Sequence, residues 1–178
     1  MKQLKLNVHT WGGKRPGAGR KRIHSPGVSH RKREKITRHT PVHINLRYET
    51  RIRNRDFLEI LKRAILSAQS KGMRILHYSV QSNHLHFIVE ANTNRTLTSG
   101  MRALTVTIAK GISTERVQIE RYHLHVLRYP KEARNAVQYV VYNEKKHTGK
   151  MLIDSYSSLR PVTGLDQPRS WPLSSQSP

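Results

Sequence analysis

A chain of 178 residues is long enough to bury one hydrophobic core, and its 33 Lys and Arg against 11 Asp and Glu leave a formal net charge of +22. A surplus of that size exceeds what solubility requires and points to a polyanionic partner, nucleic acid first. No apolar run approaches the roughly 20 residues of a membrane-spanning helix, Met1 to Thr10 is too polar for a signal peptide, and the chain has no cysteine, so the reading is a cytosolic protein with no membrane partner and no disulfides.

Residues 1–40 hold 12 of the Lys and Arg, one acid (Glu34) and five of the ten glycines, with no hydrophobic period that would define a helix or strand. They read as a flexible basic arm. Its stretch Trp11-Gly12-Gly13-Lys14-Arg15-Pro16-Gly17-Ala18-Gly19-Arg20-Lys21-Arg22 sets cations on a thin Gly/Pro chain suited to lying along phosphates or entering a minor groove. Lys14, Arg15, Arg20, Lys21 and Arg22 are the candidate DNA contacts, and a merely solvated basic tail is the other reading. The opposite end, residues 151–178, is rich in Ser, Pro and Gly and reads as a loosely ordered tail.

Residues 41–150 between them read as one domain. Val42 to Tyr48 alternates as a strand, and Asp56 to Ser70 places Phe57, Ile60, Leu61, Ala64, Ile65 and Ala68 on a helical stripe that Gly72 ends. Arg74 to Val80 and Asn83 to Ala91 are two strands joined by a short turn at Gln81-Ser82. Leu97, Met101, Leu104, Ile108 and Ile112 mark a second helix, and Gln118 to Arg128 reads as a fourth strand. The order βαββαβ is the ferredoxin-like, split-βαβ arrangement, an α+β fold whose antiparallel sheet carries both helices on one face and leaves the other free for a site. Pro130 suits a helix start, so Lys131 to His147 forms an additional C-terminal helix.

The most informative run is Asn83-His84-Leu85-His86-Phe87-Ile88-Val89-Glu90. Strand residues two apart share a face, so His84 and His86 can present imidazoles side by side to one metal ion, or can be ordinary half-exposed strand residues. On the last helix Ala133, Ala136, Val137, Val140 and Val141 form a buried stripe at about 100° per residue, with Tyr139 and Asn143 one turn apart at its edge and Tyr142 on the solvated side. A phenol there can be a nucleophile and an amide oxygen can complete a His84, His86, Asn143 metal site; a boundary tyrosine packing its ring on the core is the alternative.

The ordered set Ser82-Asn83-His84-Leu85-His86-Phe87-Ile88-Val89-Glu90, Arg121-Tyr122-His123 and Tyr139-Val140-Val141-Tyr142-Asn143-Glu144-Lys145-Lys146-His147 resembles the HUH single-tyrosine transposases, specifically the bacterial REP-associated tyrosine transposases, over roughly residues 38–149. The resemblance implies the ferredoxin-like fold, Mg²⁺ or Mn²⁺ as cofactor, and single-stranded DNA bearing hairpins as substrate. It implies His84 and His86 as metal ligands, Tyr139 as nucleophile and Asn143 as the polar ligand one turn later. Related enzymes often carry Gln at that last position, and often Asn-Pro where this chain has Asn143-Glu144. The reaction implied is a metal-dependent attack of the tyrosine on phosphorus, giving a 5′-phosphotyrosine and a free 3′-hydroxyl that can later rejoin strands without ATP. A phenol near pKa 10 needs help to deprotonate, and Lys145, Lys146 and the arm supply positive charge, with Arg121 a further DNA contact. A bacterial, nucleoid-associated cytoplasmic protein follows, either monomer or homodimer.

His123-Leu124-His125 repeats the triplet on the fourth strand and is the rival metal pair. Glu90 can be a partner to the ligands or a strand-end charge, and His43 and His77 read as surface or core histidines. The competing functional class is a catalytically idle binder of hairpin DNA or RNA; aromatic residues, at 6% of the chain, form no obvious stacking platform for it.

Overall fold

The alternating runs of the sequence become strands in the computed structural model, which describes residues 33–112, 119–142, 156–158 and 165–169. The chain divides into Met1–Arg33 and Glu34–Pro178, and the architecture that follows is that of the second unit. Its elements are β1 (Val42–Arg47), α1 (Arg55–Gln69), β2 (Arg74–Val80), β3 (His84–Glu90), α2 (Asn94–Ile112), β4 (His123–Val126) and α3 (Pro130–Val141). The four strands form one sheet in the order β2-β3-β1-β4, all pairs antiparallel. That is the α+β, ferredoxin-like βαββαβ arrangement, with α3 added after it.

The sheet has two unlike faces because its strands alternate. Val42, Ile44 and Leu46 of β1 and Leu85, Phe87 and Val89 of β3 join the stripes of α1 and α2 in the main core. On the opposite face a smaller apolar cluster of Leu76, Ile88 and Leu127 receives Ala133, Ala136 and Val140 of α3. Among the described residues, apolar packing covers one end of that face, and the rest carries polar side chains.

Local signals set the element ends. Asn54 caps α1, its Oδ1 accepting the Phe57 N–H at 2.8 Å, and Gly72 turns the chain into β2 at φ 81°, a conformation a side chain resists. The β2–β3 connection is Gln81-Ser82-Asn83, one residue longer than the sequence pattern suggests, and it is held from behind: the Tyr48 N–H donates to Asn83 O and the Ile52 N–H to Ser82 O. At the start of α3, Pro130 occupies the first turn and Glu132 reaches back to accept the Arg128 and Tyr129 N–H groups at 2.9 and 3.3 Å.

β4 is shorter than its apolar pattern. Asn45 pairs with His123, but the next contact along the same edge joins Tyr48 to Ile119, so the β4 side holds one residue too many and the ladder breaks between them. Two stretches of the C-terminal tail lie against the outer edge of β2: Ser157 bridges to Ser79, and Asp166 bonds to Ile75 and accepts from Gln69 and Arg74. Beside them Glu90, 2% exposed, accepts from Arg74 Nε and from the Arg169 N–H, so its charge is compensated where it is buried.

Gly100 on α2 lies against the start of β2, where a Cβ would stand 2.4 Å from Cβ of Met73. Alanine adds roughly 1 kcal/mol of helix propensity, yet forcing apart two backbones costs about 1–3 kcal/mol. Gly100→Ala is therefore expected to lower stability, read as a reduced urea midpoint at unchanged slope.

Candidate active site

On β3, His84 and His86 point away from the main core, and their rings stand 4.9 Å apart, centroid to centroid, at 90°. His86 is 3% exposed and His84 half-buried. The neighbouring strand brings its own polar set to the same face: in the antiparallel register His43, Asn45 and Arg47 of β1 stand opposite Ile88, His86 and His84. His43 and His86 are joined directly, Nε2 of one to Nδ1 of the other at 3.2 Å, with ring centroids 5.2 Å apart.

These contacts decide where the imidazole lone pairs lie. His86 Nε2 is enclosed by protein and has no hydrogen-bond partner among the described residues. An orphaned buried N–H is the rarer and costlier arrangement, so the proton belongs on Nδ1, donated to His43 Nε2, and Nε2 keeps its lone pair. His84 donates its Nδ1 proton to Asn83 Oδ1 at 3.0 Å, which gives it the same tautomer. Burial, then the neighbouring His43 and His84, push the His86 pKa down to about 3, and burial followed by His125 takes His43 to about 4. Both rings are neutral at pH 7, the protonation state in which an imidazole binds a metal ion.

α3 brings the tyrosine. Its small Ala133 and Ala136 let the helix approach Leu76, Ile88 and Leu127 closely, and Val140 buries beside them. Tyr139, one position earlier, consequently falls at the flank, 37% exposed, with its ring 5.1 Å from His86 at 83° and 6.0 Å from His43. Tyr142, at the C-terminal cap of the helix, is exposed. The structure thus brings His84, His86 and Tyr139 together on one face.

Asn143, Lys145 and Lys146 lie outside the described residues, as do Lys14, Arg15, Arg20, Lys21 and Arg22 of the arm. Arg121 is exposed beside a shallow groove of about 380 Å³ between the β4 side and Thr105, Val106 and Ala109 of α2. His123 and His125 share the face of the His pair but sit exposed on the edge strand, with β1 between, and His125 Nε2 is 3.9 Å from Glu132. Among the described residues no group of three or more His, Cys, Asp or Glu is arranged to hold a metal ion. A divalent ion on His84 and His86 would need donors of another kind. Sequence reasoning reads His43 only as a surface or core histidine and does not name Asn45, yet the signal is present: in a βαββαβ sheet β1 lies beside β3, and alternation puts both residues on the histidine face.

The profile of a family described as Transposase IS200 like matches residues 39–130. Among solved structures, a REP-associated tyrosine transposase bound to a REP hairpin superposes with a TM-score of 0.60 at 19% identity, covering 73% of this chain and 82% of that one. A bacterial tRNA(His) guanylyltransferase-like protein in complex with ATP reaches only 0.45 at 12% identity, over 64% of this chain and 62% of that chain, too low to bear on fold or function. No curated protein matches the chain.

The His43–His86 bond carries an expectation of its own. In His43→Leu the Nδ1 proton of His86 loses its acceptor, and the imbalance between its two tautomers should shrink. Long-range ¹H–¹⁵N spectra of the two proteins check it: a protonated Nδ1 in wild type and a mixed pattern in the variant. An Nε2-protonated His86 in wild type would contradict the assignment.

Proposed function

The chain belongs to the IS200-like transposases, and from that membership we propose that it cuts and rejoins single-stranded DNA beside hairpin elements through a covalent link to Tyr139. The matched profile takes in just over half of the chain, residues 39–130, and the fold agrees with it. The protein is a transposase; the chemistry assigned to individual residues is our reading, and the observation that carries it is the packing of the Tyr139 ring on His86, itself beside His84.

In this reading the Tyr139 oxygen attacks phosphorus, a new O–P bond forms, and the bond to the 3′ oxygen breaks. The phenol proton is lost, the departing 3′ oxygen gains one, and the 5′ end stays on the protein as a phosphotyrosine. Reversal by a 3′-hydroxyl restores the phosphodiester with no external energy source, because the number and type of bonds are unchanged. His84 and His86 fit a divalent ion, since both carry a lone pair on Nε2 and that of His86 is buried without a hydrogen-bond partner among the described residues. Mg²⁺ or Mn²⁺ held there, with Asn143, supplies positive charge to the phosphate oxygens when bound. The protein's own part is to hold the rings neutral and oriented and to fix the phenol above them on a packed helix.

The partner proposed is hairpin-bearing single-stranded DNA. The net charge of +22 supports it, as does the hairpin held by the similar REP-associated transposase. Lys14, Arg15, Arg20, Lys21, Arg22, Arg121, Lys145 and Lys146 are proposed as phosphate contacts, and a cytoplasmic, nucleoid-associated location completes the proposal. No helix among the described residues is long and apolar enough to cross a membrane.

Incubation with single-stranded hairpin DNA and Mn²⁺ is expected to give a protein–DNA adduct that survives denaturation. Tyr139→Phe should reduce that adduct by several orders of magnitude, the scale on which removal of a nucleophile acts, while DNA affinity stays within about twofold. Tyr142→Phe should leave it close to wild type, and the opposite pattern would assign the nucleophile to Tyr142.

Deleting residues 1–33, which leaves Ile36 in the core, tests the arm. Each phosphate that the arm neutralises steepens the plot of log affinity against log salt by roughly 0.7 to 0.9, so the truncated chain should bind more weakly and with a shallower slope. An unchanged slope would make the arm a solvated tail.

A further inference from the structure

The two strands that flank His86 each place one polar residue opposite it, Asn45 on β1 and Ser79 on β2. The hydroxyl of Ser79 is engaged by Gln81, whose Nε2 donates to it at 2.6 Å. The amide oxygen of Asn45 is not: Oδ1 is enclosed by protein and has no hydrogen-bond partner among the described residues. His86 Nε2 is in the same condition, on a residue that is 3% exposed. Two unsatisfied acceptors on directly opposed residues, with Cβ atoms roughly 4.5–5.5 Å apart in such pairs, are not what a folded interior ordinarily leaves.

A group that attracts both lone pairs removes the anomaly, and a cation does so at once. We propose that Asn45 is an oxygen ligand of the metal site begun by His84 and His86, binding Mg²⁺ or Mn²⁺ through Oδ1. The inference rests on the metal-dependent reading above and assigns to the sheet a donor that no histidine or carboxylate among the described residues provides. A neutral amide oxygen is a hard donor of the kind these two ions take. Its place on β1 gives it the rigidity of the strand that also carries His43, so one strand orients His86 through Nδ1 and adds an oxygen beside Nε2. A donor on the sheet is also independent of the chain beyond α3, where Asn143 lies.

Mn²⁺ titration of the full chain by calorimetry, without DNA, tests this against a water bridging the two acceptors. If Asn45 is a ligand, Asn45→Ala weakens Mn²⁺ binding by at least about tenfold, and Asn45→Asp, which adds a charged oxygen at the same place, binds at least as tightly as wild type. Affinity unchanged in Asn45→Ala, with His86→Ala losing the ion, overturns the proposal and leaves the metal reading standing. Absence of Mn²⁺ binding by wild type overturns both. A second readout needs no substitution: Mg²⁺ added to wild type shifts the Asn45 side-chain amide resonances at the stoichiometry of binding, and resonances that stay fixed while Mg²⁺ binds exclude the ligand role.

Discussion

Everything on the functional face depends on the antiparallel pairing of β1 with β3. That ladder sets His43, Asn45 and Arg47 against Ile88, His86 and His84 while sending Ile44 and Leu46 into the same core as Leu85 and Phe87. The side-chain period of a strand is two, so a slip of one residue would carry the histidines into the main core and the leucines into solvent. The register is therefore enforced by the apolar face: each fully buried Leu, Ile or Phe contributes roughly 1.5–3 kcal/mol, and several would be lost together. The chemistry of one face is held in place by hydrophobic burial on the other.

The same division explains what could be read from the chain and what could not. Helical stripes and strand alternation are local patterns, so α1, β1, β2 and β3 were legible to within a residue or two, α2 by its stripe though it begins three residues before Leu97, and Pro130 marked the start of α3. The His84–His86 pair was legible because its spacing lies within one strand. His43 and Asn45, each one strand away, are legible only after the β1–β3 pairing has been derived from the fold, because it joins residues about forty positions apart. Glu90 illustrates the point from the other side. Read as a strand-end charge, it accepts from Arg74 and from the backbone of Arg169, 79 residues further on, and no periodicity reports such a contact. β4 was overextended for a related reason, since the extra residue that breaks its ladder is a property of the pair of strands and not of either alone.

Three imidazoles crowded on one face would repel one another if charged. Burial outweighs every other influence on His43 and His86, and the repulsion of neighbouring rings adds in the same direction, so both stay neutral far below pH 7. The 3.2 Å contact between them requires at least one ring to stay neutral, because a lone pair on one nitrogen must meet a proton on the other. The contact in turn selects the tautomer. Burial, protonation state and ring orientation are thus a single arrangement, and removing His43 disturbs all three.

That arrangement is not free. A buried acceptor without a partner costs about 1–3 kcal/mol, and among the described residues the face bears two, His86 Nε2 and Asn45 Oδ1, against a total stability that for a domain of this size is roughly 5–15 kcal/mol. Mutation readily removes such a burden, since an apolar residue of similar shape at either position would satisfy the packing and carry no unpaired atom. On the proposal above, a cation that pairs with both atoms offsets this cost. The packed α3 keeps the Tyr139 ring against those of His86 and His43, so an ion held as proposed at His86 would have the phenol on a neighbouring residue.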